Sequence, residues 1–88
     1  MATELIATGS SEASSSDVVV PDGTPVTISL KGATGPSARV LIELKDDEAG
    51  YNLIGEITSL QPNAVVLARP GTYRMTRVAG ATCGVFSG

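Results

Sequence analysis

Between residues 26 and 31, apolar Val26, Ile28 and Leu30 alternate with Thr27, Ser29 and Lys31. A period of two places one set of side chains on each face of an extended backbone, so this stretch predicts a half-buried β-strand. Further strands are predicted over residues 17–20, 39–45, 50–57, 72–78 and 83–87. Between them lie the turn Pro21-Asp22-Gly23-Thr24, the loop 32–37, the acidic tip Asp46-Asp47-Glu48-Ala49, the segment 58–63, Arg69-Pro70-Gly71 and Ala79-Gly80-Ala81. Residues 64–68 are apolar without alternation, a pattern open to strand or buried helix; their shortness and flanking prolines favour strand. No helix is required anywhere. About seven short strands with regular turn signals predict an all-β, antiparallel two-sheet sandwich.

The segments 39–45 and 50–57 are the best-specified pair, because the acidic tip between them predicts a hairpin. Pairing Lys45 with Gly50 places Leu44 opposite Tyr51, Ile42 opposite Leu53 and Val40 opposite Gly55 on the inner side. Glu43 then faces Asn52 and Arg39 faces Glu56 outside. The same register leaves Leu41 opposite Ile54 on the outer face. That aliphatic pair needs a cover, either from the same chain or from another subunit.

Residues 3–8 predict one more short strand, and the Ser-rich run 9–16 that follows reads as a flexible tether. The chain therefore divides into an arm and tether, 1–16, and a sandwich domain, 17–88. Such an arm folds back onto its own sheet or adds a strand to a neighbour's edge.

Composition narrows the function. The chain has 88 residues, room for one core, with 42% hydrophobic residues but only Tyr51, Tyr73 and Phe86 as aromatics. The core is thus expected from Val, Ile, Leu and Ala. A net charge of -3 and six dispersed basic residues argue against nucleic acid as a partner, which needs clustered Lys and Arg. Arg69, Arg74 and Arg77 are close enough in sequence to form a basic patch for an acidic protein surface, or to be ordinary solvated strand charges. Cys83 is the lone cysteine, so no internal disulfide forms, and it reads as a small buried hydrophobe. No apolar run approaches the roughly 20 residues of a membrane span and no signal peptide is evident, so synthesis in the cytoplasm and no membrane partner are expected.

Chemistry is sparse. With no histidine, Ser-His-Asp and Cys-His sites cannot be assembled. Asp46, Asp47 and Glu48 crowd one exposed tip, without the burial that tunes a general acid and with too few oxygens for calcium. The glycines are dispersed and form no phosphate loop, and few aromatics are left for a sugar platform. The expectation is a non-enzyme with no catalytic residues, no cofactor and no metal.

Residues 70–77, Pro-Gly-Thr-Tyr-Arg-Met-Thr-Arg, resemble the turn and penultimate strand of immunoglobulin-like domains, where a tyrosine after a Gly-containing turn sits at the sandwich corner. The resemblance implies an immunoglobulin-like sandwich lacking the disulfide and core Trp of antibody domains. The Ser-rich leader, Val-Thr-Ile-Ser-Leu-Lys-Gly at 26–32, Leu-Lys-Asp-Asp at 44–47 and the closing Cys-Gly-Val-Phe-Ser-Gly also resemble small virion proteins of tailed bacteriophages. That resemblance implies a structural protein of the phage particle, a capsid decoration or reinforcing protein. The implied partners are the major capsid or another virion protein and further copies of the chain, and the implied location is the virion. A tail, fibre or connector subunit and a host-surface module binding glycan or protein are the alternatives. The expected contact residues are Leu5 and Ile6 on the arm, Leu41 and Ile54 on the outer face, Arg74 and Arg77, and Val85 and Phe86 on the last strand.

Overall fold

The computed structural model describes residues 3–33, 38–59 and 64–88. Parts of the predicted loops 32–37 and 58–63 lie outside the described residues. Among those described there is no helix and there are nine strands: β1 Thr3–Gly9, β2 Ala13–Ser14, β3 Val18–Val20, β4 Val26–Lys31, β5 Arg39–Lys45, β6 Tyr51–Thr58, β7 Ala64–Leu67, β8 Gly71–Arg77 and β9 Cys83–Ser87. All pairings are antiparallel. One sheet runs β1-β9-β4-β7 and the other β2-β8-β5-β6, with β3 also on β8. The apolar run near residue 64 is a strand, as its shortness predicts.

The period-two pattern is visible in the burial. Along β8, Tyr73, Met75 and Arg77 are buried while Arg74 and Thr76 are not. The inward set of one sheet, Ile6, Ile28, Leu67, Cys83 and Val85, meets Val20, Val40, Ile42, Ile57, Tyr73 and Met75 of the other in one core. Each fully buried aliphatic side chain of this kind stabilises by about 1.5–3 kcal/mol. Tyr73 has a polar end to satisfy, and its hydroxyl donates to Arg69 O at 2.8 Å.

The hairpin register departs from the sequence expectation. Lys45 pairs with Tyr51, Leu44 with Asn52 and Glu43 with Leu53. Beyond a bulge at Ile54, Ile42 pairs with Gly55, Leu41 with Glu56, Val40 with Ile57 and Arg39 with Thr58. The turn causes the first shift. Asp46 N donates to Gly50 O at 2.8 Å, closing a loop of Asp47, Glu48 and Ala49 in which Ala49 takes a left-handed φ of 64°. The Asp46 carboxylate accepts from Asn52 Nδ2 and from the Gly50 and Glu48 amides, and these bonds hold its pKa below the ordinary range. This capping draws one more residue into the ladder than the four-residue tip implies.

The bulge causes the second shift. Without it Glu56 would point inward and Ile57 outward; one extra residue returns Ile57 to the core and sends Glu56 out. There Arg39 Nε donates to Glu56 Oε2 at 2.5 Å, so the predicted ion pair forms diagonally. Tyr51 and Leu53 therefore lie on the outer face, not inside, and Leu41 faces Glu56 instead of Ile54.

The Ser-rich run is also not a loose tether. β2 has no counterpart in the periodicity, yet Ala13 and Ser14 pair with Arg77 and Thr76, and β3 continues along the same edge of β8 after a one-residue slip. Ser15 spans the slip: its N donates to Met75 O at 2.8 Å and its Oγ accepts from Met75 N at 3.0 Å. A hydroxyl has taken the place of a missing ladder carbonyl, which is why Ser15 is buried. β1 folds back on its own chain, pairing Thr3 with Ser87, Glu4 with Phe86, Ile6 with Val85 and Gly9 with Cys83.

β1 and β4 flank β9, and Gly84 lies between them with no side chain. A Cβ there would sit 2.8 Å from Ile6 O and 2.9 Å from Thr8 Oγ1. It would also obstruct the Lys31 side chain, which crosses this gap to bond the Glu4 carboxylate. Gly84→Ala is therefore expected to destabilise the protein by about 1–3 kcal/mol through overpacking. Thermal unfolding checks this, and an unchanged Tm would show that β1 does not pack so closely.

Candidate functional site

Two polar constellations stand out, one between the sheets and one on an outer face. The first centres on Arg77, whose side chain points inward from the end of β8 and is 4% exposed. Its Nε donates to Ser11 O at 2.7 Å, and its Nη1 donates to Ala7 O at 2.7 Å and Cys83 O at 2.8 Å. The guanidinium thus joins β8 of one sheet to β1 and β9 of the other, and to the segment linking β1 with β2. Among the described residues no carboxylate lies within ion-pair distance. Three charge-assisted bonds to carbonyls replace water around the cation. Gly9 passes so close that a Cβ there would be 3.2 Å from Nη2. The Cys83 thiol, buried nearby, has its pKa raised by desolvation, opposed by the Arg77 charge.

The second constellation crosses the outer face of the five-stranded sheet. Glu43 Oε1 accepts from Thr76 Oγ1 at 2.6 Å and Arg74 Nε at 3.1 Å, and Thr76 Oγ1 lies 3.0 Å from Ser14 Oγ. The Arg74 guanidinium carbon sits 3.7 Å from the centre of the Tyr51 ring, with Lys45 Nζ at 5.9 Å. The Tyr51 hydroxyl donates to Asp17 Oδ1 at 2.6 Å, and Lys45 Nζ to Asp17 Oδ2 at 3.3 Å. Side chains from β2, β8, β5 and β6 and the link before β3 are thereby braced together. The bond from Arg74, then that from Thr76, holds the Glu43 pKa low, and the bond from Tyr51, then Lys45, does the same for Asp17. Tyr51 is pushed up because ionising it would sacrifice its bond to Asp17. These groups are partners to one another and present no vacant ligand set. Among the described residues there is no cavity and no cluster of three or more metal-ligating side chains.

The expected contact residues scatter. Ile6 and Val85 come together as register partners, but both are buried in the core, and Leu5 packs against it. Arg74 and Arg77 do not form a patch, because an odd separation along a strand sends them to opposite faces. Arg74 stacks on Tyr51 outside, and Arg77 is enclosed. Leu41 and Phe86 are half-buried on outer faces of different sheets. Ile54, 53% exposed on its bulge, remains a surface residue, and beside it Leu53 is 60% exposed. Sequence reasoning missed Leu53 because the one-residue register shift turns it outward, missed Asp17 and Ser15 because their partners are distant in sequence, and for the same reason placed Arg77 at a contact surface instead of between the sheets. No known family model, curated protein or solved structure matches the chain.

Two outcomes follow for stability. Removing the guanidinium in Arg77→Met leaves three carbonyls without their donor, at a cost of about 2–3 kcal/mol. Hydrogen exchange should quicken in β1 and β9 first, and Arg77→Lys should not restore protection, since an ammonium lacks the planar fork; equal protection in all three proteins contradicts this role. Acid acts on the outer brace. Glu43 and Asp17 have folded pKa values below their unfolded ones, so their contribution is complete above the unfolded values, near 4.5 and 3.8. It is lost as pH falls through the lower folded values. Chemical denaturation between pH 6 and 2 should show that decline, and Glu43→Gln should flatten it.

Proposed function

We propose that the chain is a non-enzymatic structural protein of a tailed-bacteriophage particle, present in multiple copies and seated by protein–protein contacts on the capsid. The fold is read as a variant of the immunoglobulin-like sandwich. Support for that comes from the β4-β7 pair and the β6-β5-β8 array, which follow the B-E and C′-C-F arrangements, and from the Tyr73 hydroxyl on Arg69 O at the corner before β8. The terminal strands depart from it. β9 lies beside β4 instead of β8, and β2 and β3 take the place on β8 that the last strand holds in those domains.

The observation that carries the functional reading is the edge of β6. This strand ends the five-stranded sheet, and its bulge displays Leu53 and Ile54 side by side, both more than half exposed. Adjacent aliphatic side chains on a sheet edge suit burial against another protein. The charged side chains of the same face are bound to one another within the chain. Recognition then rests on shape and apolar contact at the rim. Since a fold does not fix a function, the particle itself is the decisive specimen.

Quantitative mass spectrometry of purified particles is expected to find the protein at hundreds of copies per particle. A dozen or fewer would move it to a tail or connector position, and absence would overturn the reading. The double substitution Leu53→Asp and Ile54→Asp should leave the Tm near that of the parent and lower particle occupancy; full occupancy would remove the β6 rim from the contact.

A further inference from the structure

We propose that β1 is an exchangeable strand, so that Thr3–Gly9 of one copy occupies the β9 edge of a second copy of this chain. The proposal rests on the multiple-copy reading above and adds how neighbouring copies would be joined. The seat for the strand is defined by what it holds within one chain. β9 offers a ladder edge, Gly84 leaves room for the β1 backbone, and Arg77 grips the carbonyl of Ala7. Lys31 reaches Glu4 across the gap above Gly84, and Ile6 enters the core. Gly9 lies close against the guanidinium, where a Cβ would crowd Nη2 at 3.2 Å. An aliphatic at position 6, a carboxylate at 4 and glycine at 9 are met together by the same segment of another copy.

Three features favour exchange over a permanent fold-back. β1 is the outer edge strand of its sheet and pairs with β9 alone, so its release opens one ladder and leaves the other pairings intact. Its ladder shifts register twice, between Glu4 and Ile6 and between Ile6 and Gly9, so it is less regular than the other pairings of its sheet. The connection to β2 is short: Ser10, Ser11 and Glu12 alone carry the chain from one sheet to the other, and its carbonyls are held by Gly80 N and Arg77. A short hinge restricts how the arm can close on its own chain, and short hinges are where strand exchange competes with fold-back. The exchanged form repeats the intrachain contacts, so its free energy differs mainly by the conformation of the hinge and the cost of association. On a particle surface, where neighbours are held at high effective concentration, that cost is smallest.

The test uses the full chain carrying Thr3→Cys and Ser87→Cys, which are register partners; Cys83 is fully buried. Oxidation over a range of protein concentrations, read by non-reducing electrophoresis, should give a covalent dimer whose share rises with concentration. A second variant guards against chance collisions: four Gly/Ser residues inserted after Ser11 should lower the dimer share several-fold, because a relaxed hinge favours the closed monomer. Intrachain links alone, or a dimer share unaffected by the insertion, overturn the exchange. If light scattering still shows oligomers in that case, the multiple-copy reading stands and only the exchange falls. Its own failure is read separately, as absence from purified particles.

Discussion

A buried cation between two sheets needs acceptors, and in this molecule the sheet facing it and the link into β2 supply them. Arg77 leaves β8, crosses the interior and finds carbonyls on β1, β9 and the intervening link. Several features depend on that choice. Gly9 keeps the approach to the guanidinium uncrowded, β1 must stay close to β9, and Gly84 must leave space for it. Removing a charge from water costs several kcal/mol before its bonds are made, so the cation is tolerated only because three carbonyls are fixed in place. The interaction therefore constrains geometry more than it adds stability.

The bulk of the stabilisation comes from the aliphatic inner faces, and the outer ion pairs serve another purpose. Exposed and partly exposed pairs of this kind each contribute little, because water screens them. Linked through Tyr51 and Thr76, however, they fix where β2, the link before β3 and β6 lie relative to β8 and β5. The Asp46 turn and the Ile54 bulge work together in the same sense. The turn brings Tyr51 out to meet Arg74, and the bulge then returns Ile57 to the core. One face of the sheet is thereby organised for internal pairing while its rim is left apolar.

Strands with strict alternation were legible from residues alone, as at Val26, Ile28 and Leu30 or Tyr73 and Met75, because local spacing decides which side of an extended chain meets a core. Register was less legible. The tip at residues 46–49 looks like a four-residue connection, but the bond that the Asp46 amide donates to Gly50 O, supported by those its carboxylate accepts, closes the ladder one residue later. The role of residues 13–16 was hidden for a different reason: small polar residues carry no hydrophobic period, so their place on β8 depends on Met75, some sixty positions away. Arg74 and Arg77 could have been separated by period two alone. What Arg77 grips could not, since backbone carbonyls leave no trace in composition. Of the expected contact set, Ile54 keeps its surface position, whereas Ile6, Arg77 and Val85 are taken up inside.

The β1–β9 pairing has a practical consequence. Thr3 and Ser87 are ladder neighbours, so the two ends of the described chain leave the molecule at one corner. A short peptide could join them into a ring, new ends could be opened elsewhere, and a cargo fused at either end would project from the same spot.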